Sequence, residues 1–168
     1  MQSQSAQSAL CARSGSTDDA SLRFDLANRL FFRLYQASNL LHKEGTKAVA
    51  GFGATTQQWA VLGALARRGV EDEGLSIKQL MEHLLTSRQN LTLVLDRLEG
   101  QGLVERVRGT GDGRVRTLRL TARGQEVWQA MGQDIRAFYG AAVEGLSTEE
   151  LFLLFRLLDR LKDGLSAL

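Results

Sequence analysis

Two short helices that start almost back to back constrain this chain more than any other feature. Ser76-Ile77-Lys78-Gln79 and Thr86-Ser87-Arg88-Gln89 both read as capping boxes. In such a box a hydroxyl caps free backbone amides and a glutamine side chain reaches back. Ile77, Leu80, Met81, Leu84 and Leu85 give the first helix an apolar stripe, and Leu91, Val94, Leu95 and Leu98 give the second one. With so few residues between them, the two helices must cross steeply, which is a helix-turn-helix arrangement. Gly100 and Gly102 stop the second helix, and Leu103 to Val107 reads as a strand. Gly109-Thr110-Gly111-Asp112-Gly113 is a flexible turn, and Arg114 to Leu120 is the return strand. Val115 is out of phase with Leu118 and Leu120, which predicts a slip or bulge near the tip.

The flanks are helical. Residues 1–19, rich in Ser, Gln and Ala with almost no apolar residues, read as a disordered tail. From residue 20 to about 50, Leu22, Leu26, Leu30, Leu34 and Leu41 form one stripe that Phe24, Phe31 and Tyr35 widen. The glycines from Gly51 to Gly53 break it, and Thr55-Thr56-Gln57-Gln58 caps a helix that runs to about Gly69. Thr121 caps a long helix to about Gly145, and Ser147-Thr148-Glu149-Glu150 opens the last one. That last helix is apolar nearly all round, more than a chain end in a domain this small can hide, so a second copy of the chain is expected to cover it. The predicted fold is mainly α with a small β-hairpin wing (α+β), a dimeric winged helix-turn-helix. Residues 20–168 form one domain, with the winged lobe at 55–123 between dimerisation helices at 20–50 and 124–168.

Charge points to a partner. The formal net charge is only +2, yet the stretch from Leu103 to Arg123 holds six arginines (Arg106, Arg108, Arg114, Arg116, Arg119, Arg123) against Glu105 and Asp112, a local net of +4. A cationic strip beside a groove-sized helix is the electrostatic footprint of double-stranded DNA binding. Arg88 can pair two acceptors on guanine, and Gln89 or Asn90 can pair adenine. Ser87, at the helix amino end, suits a phosphate. Arg114 or Arg116 in the hairpin is positioned for a narrow minor groove. Asp112 is expected to fix the tip by bonding a neighbouring arginine or the turn amides. The residues expected at DNA are Ser76, Thr86, Ser87, Arg88, Gln89, Asn90, Thr92, Arg97, Arg106, Arg108, Arg114 and Arg116.

Other classes find little support. There is no nucleophile motif, phosphate loop or spaced carboxylate pair for an enzyme. No apolar run approaches the roughly 20 residues needed to cross a membrane, no secretory signal is visible, and the expected location is the cytoplasm, on the bacterial nucleoid. The single cysteine, Cys11, fits a reducing compartment and leaves thiol-oxidation sensing as an alternative, without a basic pocket to activate it. His42 and His83 lie far apart, so no metal or other cofactor is expected. A winged-helix protein-interaction module is the remaining alternative; it would leave the arginine strip solvated.

The runs Leu75-Ser76-Ile77-Lys78-Gln79-Leu80, Thr86-Ser87-Arg88-Gln89-Asn90-Leu91-Thr92, Leu95-Asp96-Arg97-Leu98-Glu99, Gly102-Leu103-Val104-Glu105-Arg106 and Asp112-Gly113-Arg114, with Leu120-Thr121 and Gly124, resemble the MarR (multiple-antibiotic-resistance regulator) family. The likeness is continuous from about Thr55 to Gly124; the flanking helices match in pattern only. It implies a triangular homodimer joined by the first and last two helices, DNA contacts from Ser87 to Thr92 and a wing contact at Arg114. Gly113 departs from the pattern, since the family often carries a second basic residue there. The resemblance also implies a repressor released from a near-palindromic site by a small aromatic acid or phenol, with nicotinate derivatives among the candidates. Such an effector would bind between the dimer helices and the DNA-binding lobe. The polar or aromatic residues near that junction are Arg23, Arg33, Tyr35, Asn39, His42 and Trp59. A carboxylate needs an arginine or histidine, and a ring needs Tyr35 or Trp59.

Overall fold

Hydroxyl side chains start five of the helices. Thr55, Ser76, Ser87, Thr121 and Ser147 sit in extended backbone, and each accepts a hydrogen bond from a backbone amide three residues on. Each cap satisfies an amide that the helix itself leaves orphaned. The computed structural model describes residues 3–67, 69–70, 73–108 and 116–168, without the side chains of residues 3–17 and Arg108. Helix α1 spans Ser3–Ala48 and a single 3-10 turn follows at Ala50–Phe52. Then come α2 (Thr56–Leu65), β1 (Leu75–Ser76), α3 (Ile77–Leu84), α4 (Arg88–Gly100), β2 (Val104–Arg108), β3 (Arg116–Leu120), α5 (Ala122–Val143) and α6 (Thr148–Ser166). The chain divides into two compact units, Met1–Lys43 and Glu44–Leu168.

The first unit lies within α1. The sequence predicts a tail up to residue 19 and a helix from residue 20, whereas the backbone is helical from Ser3. Residues 3–19 contain no proline or β-branched run, and their alanines, glutamines and serines allow the helix to propagate backward once the stripe beyond has nucleated it.

The second unit is built on one core. Trp59, Val61, Leu62 and Leu65 of α2, Leu80 of α3, Leu91, Leu95 and Leu98 of α4, Leu103 and Val104 at the start of the wing, Leu118 of β3, and Met131 and Ile135 of α5 are all buried together. Gly63 lets α2 approach α5: a Cβ there would stand 2.9 Å from the Trp128 ring. The sheet has three antiparallel strands in the order β1-β3-β2. Sequence reading finds the β2–β3 hairpin and misses β1, whose two residues pair Leu75 with Leu118 and Ser76 with Thr117. The hairpin register runs unbroken from Val104↔Leu120 to Arg108↔Arg116, so no bulge interrupts the described strands. The expected slip at Val115 lies outside the described residues, as do the turn and Asp112. In place of a helix reaching Gly69, α2 ends at Leu65, and Ala66 closes it with a backbone bond to Leu62.

Candidate nucleic-acid interface

The turn between α3 and α4 sets where α4 begins. Leu85 closes α3 in the left-handed region at φ 50°, its amide bonded to the Met81 carbonyl, and Thr86 bonds to the same carbonyl at 3.3 Å. Ser87 then caps α4, its Oγ accepting from the Asn90 amide at 3.3 Å. The sequence places the box one residue earlier, with Thr86 as cap and Gln89 reaching back. The structure corrects this: the third helical residue after Ser87 is Asn90, and no reciprocal bond forms. The shift frees Gln89 from capping duty.

Leu91, Val94, Leu95 and Leu98 face the core, so the opposite side of α4 is open. At about 100° per residue, Gln89, Leu93 and Asp96 lie within about 30° of the outward direction, while Arg88, Asn90, Thr92 and Arg97 lie on the flanks. Ser87, Arg88, Gln89, Asn90 and Arg97 are exposed. The side chains of Arg88, Gln89, Asn90 and Arg97 make no hydrogen bond or ion pair among the described residues. They are four unspent polar groups on one helix. Thr92 differs, because its hydroxyl donates to the Arg88 carbonyl at 2.8 Å. Ser76 is similarly committed: its Oγ bonds the Gln79 amide at 3.2 Å and Oε1 at 2.9 Å, and its own amide donates to that oxygen. Thr86 is half-buried.

The arginine strip is less free than its count implies. Arg106 donates to Glu99 through Nε at 2.6 Å and through a second nitrogen at 3.2 Å, with Asp96 at 3.8 Å. The hydrogen bond to Glu99 raises its pKa above the ordinary arginine value, so Arg106 remains a cation at every accessible pH. This two-pronged pair ties the C-terminal half of α4 to the wing strand β2 and makes Arg106 a brace between them. Arg119 pairs across the hairpin with Glu105 at 2.9 Å. Arg116, at the described end of β3, is exposed and unpaired among the described residues. Arg108 lies in β2 with its side chain outside the description, and Arg114 lies wholly outside the described residues.

The expected effector residues are divided between the two units. Arg23, Arg33, Tyr35, Asn39 and His42 are exposed on α1 in the first unit; Arg33 donates to Gln36 at 3.1 Å. Trp59 is 6% exposed and belongs to the core of the second unit. It packs edge-on to Phe138 at 6.0 Å and against Tyr139 at 5.4 Å, and burial raises the Tyr139 pKa. Within the second unit an open depression of about 430 Å³ is lined by Glu44, Lys47, Ala48, Asp134, Ala137 and Phe138. Lys47 there is bridged to Glu44 at 2.8 Å. None of the six expected effector residues lines it. Among the described residues no group of His, Cys, Asp or Glu is placed to hold a metal, and no helix is long and apolar enough to cross a membrane.

This geometry can be set beside known proteins. A sequence model of the MarR family matches residues 52–115. The chain is 47% identical over 152 residues to the transcriptional activatory protein BadR of Rhodopseudomonas palustris, covering 87% of this chain and 86% of BadR. It is 31% identical, with a TM-score of 0.64, to the PcaV transcriptional regulator of Streptomyces coelicolor, crystallised with its natural ligand; the match covers 80% of this chain and 89% of PcaV. The S. aureus MepR–DNA complex superposes with a TM-score of 0.70 at 20% identity over 80% of this chain and 94% of MepR, a likeness of fold. The chain belongs to the MarR family of winged helix-turn-helix transcriptional regulators, which bind DNA and are not enzymes.

Proposed function

We propose that the protein is a homodimeric, effector-controlled regulator that reads a near-palindromic operator with α4 and braces the flanking backbone with the wing. The observation that carries this reading is the open face of α4. Arg88, Gln89, Asn90 and Arg97 stand exposed and unspent there, while Arg106 and Arg119 nearby are tied up in ion pairs. Two such helices about 34 Å apart reach successive major grooves.

Exposed apolar surface supports the second copy. In α1, Leu22, Phe24, Leu26, Leu30, Phe32 and Tyr35 are more than half exposed. In α6, Phe152 and Phe155 are 67% and 65% exposed, with Leu153, Leu154, Leu157 and Leu158 beside them. Surface of this extent is costly to leave in water and is the mark of an interface.

The effector is a small aromatic carboxylate or phenol. Support comes from the family resemblance, from PcaV's having a natural ligand, and from the basic and aromatic groups exposed on α1. An effector releases DNA only if it prefers the dimer that cannot bind DNA, so DNA must weaken the effector by the same factor. Repression is the expected output. The name of BadR favours activation as a second reading. Titrating simple aromatic carboxylates and phenols, nicotinate among them, into the protein–operator complex should lower operator affinity. Indifference to all of them overturns the effector class. A reporter driven by the native promoter, with and without the regulator, separates repression from activation.

A further inference from the structure

The outward face of α4 carries one residue that DNA recognition by polar groups does not explain. Leu93 is 57% exposed, four positions beyond Gln89 and four before Arg97. It is therefore flanked, one helical turn to either side, by long polar side chains without partners among the described residues. The buried stripe of Leu91, Val94, Leu95 and Leu98 points the other way, so Leu93 contributes nothing to the core. Its neighbour Thr92 donates its hydroxyl hydrogen to the Arg88 carbonyl, and on the outward line Leu93 stands between Gln89 and Asp96 with no hydrogen-bonding group of its own.

We infer that Leu93 is a specificity-determining residue that reads the C5-methyl group of thymine in each half-site. The inference rests on the operator-binding reading above. A helix that lowers Gln89 into a major groove brings Leu93 in one turn, about 6 Å, further along the same face. Base edges in that groove present hydrogen-bonding groups at every pair, and the thymine methyl is the one apolar group of unmodified DNA there. Leucine against any other edge desolvates a donor or acceptor and returns nothing. Against thymine it buries two apolar groups together. Such a residue selects for thymine and against cytosine at one position while making no hydrogen bond.

The test uses the full-length protein and a duplex selected from random DNA. Each thymine of the selected site is replaced in turn by deoxyuridine, which removes the methyl and nothing else. The wild type should lose about fourfold in affinity at one thymine per half-site, and about fifteenfold when both half-sites are changed. Leu93→Ala should bind the thymine duplex more weakly and be indifferent to uridine at that position, with an unchanged thermal unfolding curve because the side chain is exposed. Indifference of the wild type to uridine at every position overturns the inference while leaving operator binding intact. So does a Leu93→Ala variant that keeps the wild-type uridine penalty. Selection that enriches no duplex overturns both this inference and the reading beneath it.

Discussion

Gly124, in the first turn of α5, should tolerate no side chain. A Cβ built there falls on the Leu103 carbonyl oxygen, 2.9 Å from the carbonyl carbon and 3.3 Å from its Cα, where ordinary contacts begin at 3.4 Å. Both sides of the clash are backbone, so no rotamer change relieves it. Relief requires α5 or the Leu103 peptide to move by about an ångström. That movement would strain the Thr121 amide bond to the Leu103 carbonyl at 3.1 Å and the Thr121 hydroxyl bond to Gly102 at 2.7 Å. It would also disturb Leu103 and Val104, which are 4% and 3% exposed. Two weakened hydrogen bonds cost about 1 kcal/mol each, and overpacking costs about 1–3 kcal/mol. Against this stands about 1 kcal/mol gained by replacing glycine with alanine in a helix. Gly124→Ala should therefore destabilise the protein by about 2–4 kcal/mol. Gly132→Ala, in the same helix, meets only the flexible end of Arg136 at 3.3 Å and should stabilise by about 0.5–1 kcal/mol. Urea denaturation at one fixed protomer concentration compares the two. A Gly124→Ala variant as stable as the wild type, or more so, would refute the reasoning.

Three further outcomes follow from the same geometry. Leu85 is held at φ 50° while 68% exposed, so it bears a left-handed penalty without compensating burial; Leu85→Gly should raise the melting temperature, by about 0.5–1 kcal/mol in stability, and a fall would show that Leu85 makes contacts worth more than the strain. Ser87→Ala should cost about 1 kcal/mol and Thr86→Ala clearly less, because the cap is at Ser87; the reverse order in thermal denaturation would return the cap to Thr86. Arg116→Ala should flatten the dependence of log K on log salt by about one unit per protomer, and Arg106→Ala should leave it nearly unchanged because that charge is already paired to Glu99; equal slopes for both variants would contradict the division between free and braced arginines.

What the sequence made legible was local. The caps at Thr55, Ser76, Thr121 and Ser147 depend on bonds spanning three residues, and the apolar stripes repeat within one helix, so both are written in adjacent letters. The cap at Ser87 is ambiguous in the sequence because Thr86 offers the same chemistry one position earlier; only the amide that is actually capped, Asn90, decides between them. Strand β1 is two residues long and exists because β3 lies beside it, its partner residues 43 and 41 positions away in the chain. Pairing within the wing is non-local for the same reason. The net of +4 follows from counting residues, but which arginines are engaged does not: Glu99, seven residues before Arg106 on another element, pairs with it, and Glu105 pairs with Arg119. Trp59 carries no local mark that tells a ring packed against Phe138 and Tyr139 from a ring waiting for an effector.

Selecting bound duplexes from random DNA probes the paired α4 helices most directly. Two inverted half-sites with centres about 10 base pairs apart are expected, their enrichment falling steeply as salt rises. A single unpaired site, half-sites at no fixed spacing, or no enrichment in dilute buffer would contradict a dimer that sets α4 into successive major grooves.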